Sequence, residues 1–280
     1  MPDEELMEKL EKERKNGRDD YLVRAMWNAI LAGVVYQHIS VESLRRELSR
    51  NGQLRIMCGF HTAKTKKYRG EKKTEIVPPA WVFTRFLKKL YEHEEEINKI
   101  FEKLVEELKR LLPDFGKDLA IDSKAIKSLA KRENKNRKAD GRRGKDADWG
   151  KKEYRGIRED GTAWEKIVKW FGYKLHLIVD ANYELPVAFS VTKASQADVK
   201  EAHRMIEKIA KERPEILEAC ETMEADRGYD DTKLIKKLWD EYKIKPVIDI
   251  CNKWKDPDGT RPLEGHENVV YNYKGNVYCY

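Results

Sequence analysis

Two aspartates are the residues here whose type and spacing could do chemistry. Asp122 closes the short run Lys117-Asp118-Leu119-Ala120-Ile121, and Asp226 closes Glu221-Thr222-Met223-Glu224-Ala225. Each run has strand length. After the second, Arg227-Gly228-Tyr229 makes a turn and a helix pattern runs from Thr232 to Tyr242. Strand, turn and helix put Asp226 at the carboxyl end of a strand, the edge where open α/β sheets gather ligands. Two carboxylates on neighbouring strand ends suit a hard divalent cation, Mg²⁺ or Mn²⁺, because Mg²⁺ takes oxygen ligands and commonly only one or two from protein. Each aspartate also has a local reading: Asp122 as the cap of the following turn, Asp226 as a turn former before Gly228.

The second chemical signal is charge. The 280 residues carry a formal net charge of +7, which fits a polyanionic partner. From Lys124 to Arg158 there are 14 Lys/Arg against 5 Asp/Glu. That surplus of nine exceeds the charge of the whole chain, so the basicity is local. Lys131, Arg132, Arg137, Lys138, Arg142, Arg143, Lys145, Lys151 and Lys152 lie in this stretch, and Trp149, Tyr154 and Trp164 are interleaved or close behind. Rings among cations suit phosphates and unstacked bases. The competing reading of 131–158 is a charged insert with structural aromatics.

The composition also excludes classes. The four cysteines, Cys58, Cys220, Cys251 and Cys279, form no CxxC pair, which argues against a closed zinc site and for a reducing compartment. No apolar run approaches the roughly 20 residues of a membrane span. Met1 to Lys15 mixes acidic and basic residues, unlike a signal or transit peptide. The expected location is the cytoplasm, away from membranes.

The elements that must position these groups fall into two parts. Residues 1–115 read as all-helical. Glu4 to Lys15 is a charged helix, read as a loosely docked arm; Tyr21 to Tyr36 is a buried helix. Ser40 caps Val41 to Arg50, whose inner stripe is Val41, Leu44 and Leu48. Two helices joined by a short turn resemble a helix-turn-helix. Arg45, Arg46 and Arg50 on the outer face either contact DNA or line a solvated surface. His61 to Lys73 reads as a loop. Pro78-Pro79 opens a helix with Trp81, Val82, Phe86, Leu87 and Leu90 inward, and a long apolar stripe follows from Glu94 to Leu112.

Residues 116–280 read as a mixed sheet with helices. A strand ends at Asp122, and Ala125 to Leu129 is a brief helix. After the insert, Trp170 to Val179 and Leu185 to Val191 make a hairpin, with Phe171, Tyr173, Leu175, Leu177 and Val179 on one face and Lys174, His176 and Ile178 on the other. A helix reaches Glu212 with Ala202, Met205, Ile206 and Ile209 inward. The Asp226 strand, a helix with Leu234, Ile235, Leu238 and Trp239 inward, and a strand from Pro246 to Ile250 follow. The fold class is therefore α+β: an all-helical amino-terminal domain, for DNA binding or dimerisation, ahead of an RNase H-like mixed sheet with flanking helices.

Three motifs in this order, Ala120-Ile121-Asp122-Ser123-Lys124, Gly172-Tyr173-Lys174-Leu175-His176-Leu177-Ile178-Val179-Asp180 and Ala225-Asp226-Arg227-Gly228-Tyr229-Asp230, resemble insertion-sequence transposases of the DDE type. Tyr21 to Gln37 and Val41 to Phe60 are similar to the helical domain of these enzymes. The resemblance implies Mg²⁺ (or Mn²⁺) chemistry on double-stranded DNA, both element ends and target. Asp122 would bridge two ions about 3.5–4 Å apart, Asp226 would hold one, and a glutamate on a later helix the other. Freed 3′-hydroxyls would attack target DNA while the basic insert grips the element ends, with two copies acting as a homodimer.

That glutamate is not found in the sequence. Glu264 and Glu267 lie 38 and 41 residues past Asp226, but Pro262, Gly265 and the lack of apolar periodicity argue against a helix there. The family's tyrosine–arginine–glutamate–lysine signature is missing as well. The expectation is a reading frame cut short of the third ligand, giving DNA binding with poor cleavage. Two other readings stand: a catalytically dead, DNA-binding remnant of a transposase, and an RNase H-like nuclease not tied to a mobile element.

Overall fold

The computed structural model describes residues 1–14, 21–61, 64–68, 71–128, 130, 136, 146–158, 160, 162–251, 254 and 259–280. Two compact units divide the chain, Met1–Glu107 and Leu108–Tyr280.

The first unit is built on helices α1 (Glu4–Arg14), α2 (Val23–Val35), α3 (Val41–Arg50), α4 (Gly52–Cys58), α5 (Ala80–Glu92) and α6 (Glu94–Leu111). The Ser40 hydroxyl accepts from the Ser43 amide and starts α3 as its sequence predicts. Asn51 ends α3 and at once caps α4 through Leu54 N, a helix the sequence reading missed. α1 is no loose arm: Leu6, Met7 and Leu10 are buried. Its first turn is anchored by Asp3, which accepts from Trp27 Nε1 at 2.6 Å and Arg24 Nη1 at 2.8 Å. The charged residues around that apolar stripe pair with α5 and α6, Lys89 with Glu13 and Lys99 with Glu5.

Two further corrections fall in this unit. The stretch read as a loop holds an antiparallel hairpin, β1 (Lys64–Tyr68) and β2 (Glu71–Glu75), with Thr65 opposite Thr74. Its charge hid the strand pattern. The buried face of α5 is Phe83, Phe86 and Leu90, whereas Trp81 and Leu87 are exposed. The choice between neighbouring stripes was made by what packs against the helix, and Phe83 fits the core completely.

The second unit holds a six-stranded sheet. Its strands are β3 (Asp118–Lys127), β4 (Asp148–Ile157), β5 (Ala163–Asp180), β6 (Pro186–Lys193), β7 (Thr222–Ala225) and β8 (Lys245–Ile248). The order is β4-β5-β3-β7-β8, with β6 also paired to β5. β3, β7 and β8 run parallel; β4, β3 and β6 are antiparallel to β5. The brief helix expected at Ala125 is instead the continuation of β3, which pairs with β5 as far as Lys127 opposite Gly172. The carboxyl end of the basic insert is strand β4, and β5 begins at Ala163, seven residues earlier than its alternation suggests. The missed signal is Asp160-Gly161 between them; Asp160 Oδ1 accepts from Thr162 N at 2.9 Å and closes the turn.

Helices α7 (Asp198–Glu212), α8 (Pro214–Ala219) and α9 (Thr232–Lys236) flank the sheet. Ala202, Met205, Ile206 and Ile209 of α7 are buried, as their spacing predicts. α9 runs on as a π-helical turn, Lys237–Glu241. The wider turn rotates the later residues, so Leu234 and Leu238 are buried but Trp239 is exposed. Strands β9 (Thr260–Pro262), β10 (Val269–Asn272) and β11 (Val277–Cys279) form a separate antiparallel sheet. Together the second unit's mixed sheet, its flanking helices and the helical region before them make an RNase H-like α+β architecture.

The face of β5 that carries Lys174, His176 and Ile178 is the buried one. Trp170, Lys174, His176, Ile178 and Asp180 are buried, while the apolar alternates from Phe171 to Val179 are half-buried. Charge on Lys174 and His176 disguised the inner face, and partners on α7 and β6 offset the cost of burying them. Among the described residues no helix is long and apolar enough to cross a membrane.

Candidate active site

The parallel pairing of β3 with β7 builds the site. Ile121 is the register partner of Ala225, so Asp122 and Asp226 are the next residues on adjacent strands. β3 alternates, with Leu119, Ile121 and Ser123 buried and Asp122 exposed. Asp122 Oδ1 accepts from Ser123 N at 2.6 Å. Asp226 caps a 3₁₀ turn, Arg227–Tyr229, and its Oδ1 accepts from Gly228 N at 2.8 Å. A Cβ at 228 would lie 2.9 Å from that oxygen, so a side chain there would push the Asp226 carboxylate from its present position. Among the described residues neither Oδ2 takes part in a hydrogen bond or ion pair.

At the start of the strands, Asp118 of β3 accepts from Thr222 Oγ1 of β7 at 2.5 Å and from Asn182 at 3.2 Å. These bonds, Thr222 first, hold its carboxyl below the usual range. The contact clamps the register that brings Asp122 beside Asp226. Asp180, fully buried, ties the β5–β6 turn by accepting from Asn182 N, Tyr183 N and Gly116 N.

β8 extends the row. Ala225 is the partner of Ile248, so Asp249 follows Asp226 across the next strand. Its Oδ2 accepts from Arg227 Nε at 3.2 Å. Ala120, Glu224, Asp226, Lys245, Val247 and Asp249 line an open cleft along this edge. The sequence reading passed over Asp249, although Val247-Ile248-Asp249 repeats the pattern of an apolar run ending on an aspartate.

Among the described basic residues singled out in the sequence, Lys152 reaches the strand that carries Asp122: its Nζ donates to the Ser123 carbonyl at 3.0 Å, one residue from Asp122. Lys151 is ion-paired to Glu153. Lys131, Arg132, Arg137, Lys138, Arg142, Arg143 and Lys145 lie outside the described residues. In the first unit Arg45 is engaged by Glu42 and the Pro78 carbonyl, Arg50 by Glu47, and Arg46 is exposed. Such exposed pairs are weak and easily exchanged for phosphate. Glu264 and Glu267 are exposed in the turns between β9 and β10.

The strand expected to end at Asp122 runs on to Lys127, so Asp122 lies inside β3 and only Asp226 stands just past a strand end; as a donor set, the two exposed carboxylates still fit Mg²⁺ or Mn²⁺ in charge and in hard oxygen ligands. Among the described residues no group of three or more His, Cys, Asp or Glu side chains is placed to hold a metal ion.

Sheet order and flanking helices put the chain in the RNase H-like class. It belongs to the transposase DDE domain family, whose family model matches residues 114–275. No curated protein and no solved structure gives a match.

Proposed function

We propose that this chain is a DNA transposase that binds double-stranded DNA as a homodimer in the cytoplasm and carries out strand cleavage and strand transfer. The observation that supports this most directly is the Ile121–Ala225 register, which sets Asp122 beside Asp226 in a chain of the transposase DDE family. Asp122 and Asp226 would hold Mg²⁺ or Mn²⁺. When bound, the ion supplies charge stabilisation at the phosphate and lowers the pKa of an attacking water or hydroxyl. The chain's own residues do the rest. Ser123 N and Gly228 N orient one oxygen of each carboxylate. Lys152 brings a positive charge to the strand that carries Asp122, and residues 131–158 and the α3 arginines grip the DNA backbone. In this reading residues 1–115 form a DNA-binding and dimerisation domain and residues 116–280 the catalytic one.

A second reading is favoured by the two-carboxylate donor set: occupancy of DNA with slow cleavage. Plasmid nicking with Mn²⁺, alongside gel-shift binding, separates the two. Cleavage that vanishes in Asp122→Asn and Asp226→Asn while binding persists supports the enzyme. Binding without cleavage in all three proteins supports occupancy alone. Cleavage of RNA–DNA hybrids in preference to duplex DNA would point to a nuclease outside transposition.

A further inference from the structure

The cation next to Asp226 in the chain does not pair with it. Arg227 lies on the 3₁₀ turn that Asp226 caps. Asp226 Oδ1 accepts from Gly228 N at 2.8 Å, while the Arg227 side chain turns to the next strand, where its Nε donates to Asp249 Oδ2 at 3.2 Å. Among the described residues the guanidinium makes no other hydrogen bond or ion pair.

Asp249 is fixed to receive it. Ile121, Ala225 and Ile248 are successive register partners across β3, β7 and β8, so Asp122, Asp226 and Asp249 follow in one row. The Asp249 amide donates to the Ala225 carbonyl at 3.4 Å. The Cys251 amide donates to Asp230 Oδ2 at 2.9 Å, which ties the chain after β8 to the turn that carries Arg227. Asp226 and Asp249 both line the open cleft, beside Glu224 and Lys245. No group of three such side chains among the described residues is placed to hold a metal ion, so Asp249 serves the arginine.

A guanidinium presents a rigid fork of N–H donors that matches the oxygens of a phosphate. With Nε on Asp249, the terminal N–H groups remain for an anion in the cleft. Paired with Asp226 instead, the same guanidinium would occupy the oxygens a cation needs. The Arg227 and Asp249 side chains are 66% and 70% exposed, and such a pair rearranges at little cost when another anion arrives.

We propose that Arg227 is a further catalytic residue: its guanidinium donates to a non-bridging oxygen of the DNA phosphate bound at the Asp122–Asp226 pair, and Asp249 is the positioning residue that holds it off Asp226. The arginine meets charge that builds on that oxygen in the transition state, where a fixed donor contributes most. This inference rests on the catalytic role given to the pair above.

The test is Mn²⁺-dependent plasmid nicking by the full chain, with Mn²⁺ affinity from electron paramagnetic resonance and duplex affinity from gel shift as separate readouts. Arg227→Ala is expected to lower kcat about 100-fold, the lower range for loss of one transition-state donor, with Mn²⁺ and duplex affinity near wild type. Arg227→Lys should restore only part, since an ammonium lacks the fork. Added guanidinium ion, below denaturing concentration, should speed Arg227→Ala. Asp249→Asn should lower kcat with Mn²⁺ affinity unchanged. Wild-type kcat in Arg227→Ala, with nicking lost in Asp226→Asn, overturns the inference alone, whether or not KM rises. Loss of Mn²⁺ in Asp249→Asn to the extent seen in Asp226→Asn also overturns it, because Asp249 is then a metal ligand. A wild-type chain that does not nick, or an Asp226→Asn variant that nicks normally, overturns the catalytic reading and the inference with it. If Arg227→Ala does not fold, Arg227→Lys decides: a lower kcat at wild-type Mn²⁺ affinity supports the proposal and a wild-type kcat overturns it.

Discussion

Lys174 and Asp198 form an ion pair of 2.9 Å whose side chains are only 8% and 24% exposed, on the buried face of β5. A lysine is kept there because the start of α7 delivers the carboxylate and the Gln196 carbonyl to it. Removing one member of such a pair strands the other. Lys174→Met is expected to cost about 3 kcal/mol of stability. Urea denaturation measures it, and adding Asp198→Asn should recover part of the loss. A wild-type midpoint in the single variant would show the pair to be idle.

Gly172 sits at φ +153°, where β3 and β5 begin to pair, and a Cβ there would lie 2.2 Å from the Ile126 carbonyl oxygen and 2.6 Å from Ser128 N. Both are backbone atoms of the neighbouring segment and cannot swing aside. Gly172→Ala should therefore destabilise by about 2–3 kcal/mol through strain. Thermal unfolding reads this directly; a change below about 0.5 kcal/mol would mean that the strands re-register without penalty.

Glu96 predicts an acid limb. The Lys9 ammonium, and then its own backbone amide, lower its pKa from 4.5 to about 2. A carboxyl depressed in the folded state adds stability above its unfolded pKa and loses it as pH falls through the folded one. Helical circular dichroism should thus show stability declining between about pH 4.5 and pH 2. Glu96→Gln should flatten that limb, and an unchanged slope would remove Glu96 from the account.

Lys152 makes the DNA prediction sharpest, because its Nζ already lies on the strand bearing Asp122. Lys152→Ala is expected to weaken duplex binding evenly across sequences and to reduce the salt slope by about one. Filter binding at several salt concentrations reads both. An unaltered slope would mean that this ammonium serves β3 alone.

Local rules carry much of this fold. The Ser40 cap, the inner face of α7, the place of Asp226 just past β7 and the α+β order all follow from them, since caps, 3.6-residue stripes and turn glycines are written in neighbouring residues; Asp122, expected at a strand end, lies inside β3. The misses share a cause. Around β1, β2 and β4, lysines and glutamates mask strands that exist only by pairing. On α5 and after α9, the apolar pattern allowed more than one face, and packing or a π turn chose.

The sequence by itself determined that two aspartates end short apolar runs, that the charge is concentrated in residues 124–158, and that helices precede a sheet. Only the tertiary structure decided that Asp122 and Asp226 are neighbours. Their strands are separated by three others in the chain, and the parallel register between Ile121 and Ala225 is a long-range pairing that no local spacing encodes. It likewise decided that Lys174, His176 and Tyr229 lie on the buried side behind them. The burial of a polar residue depends on the partners the fold brings to it, here Asp198 and Thr192, and not on its own hydropathy.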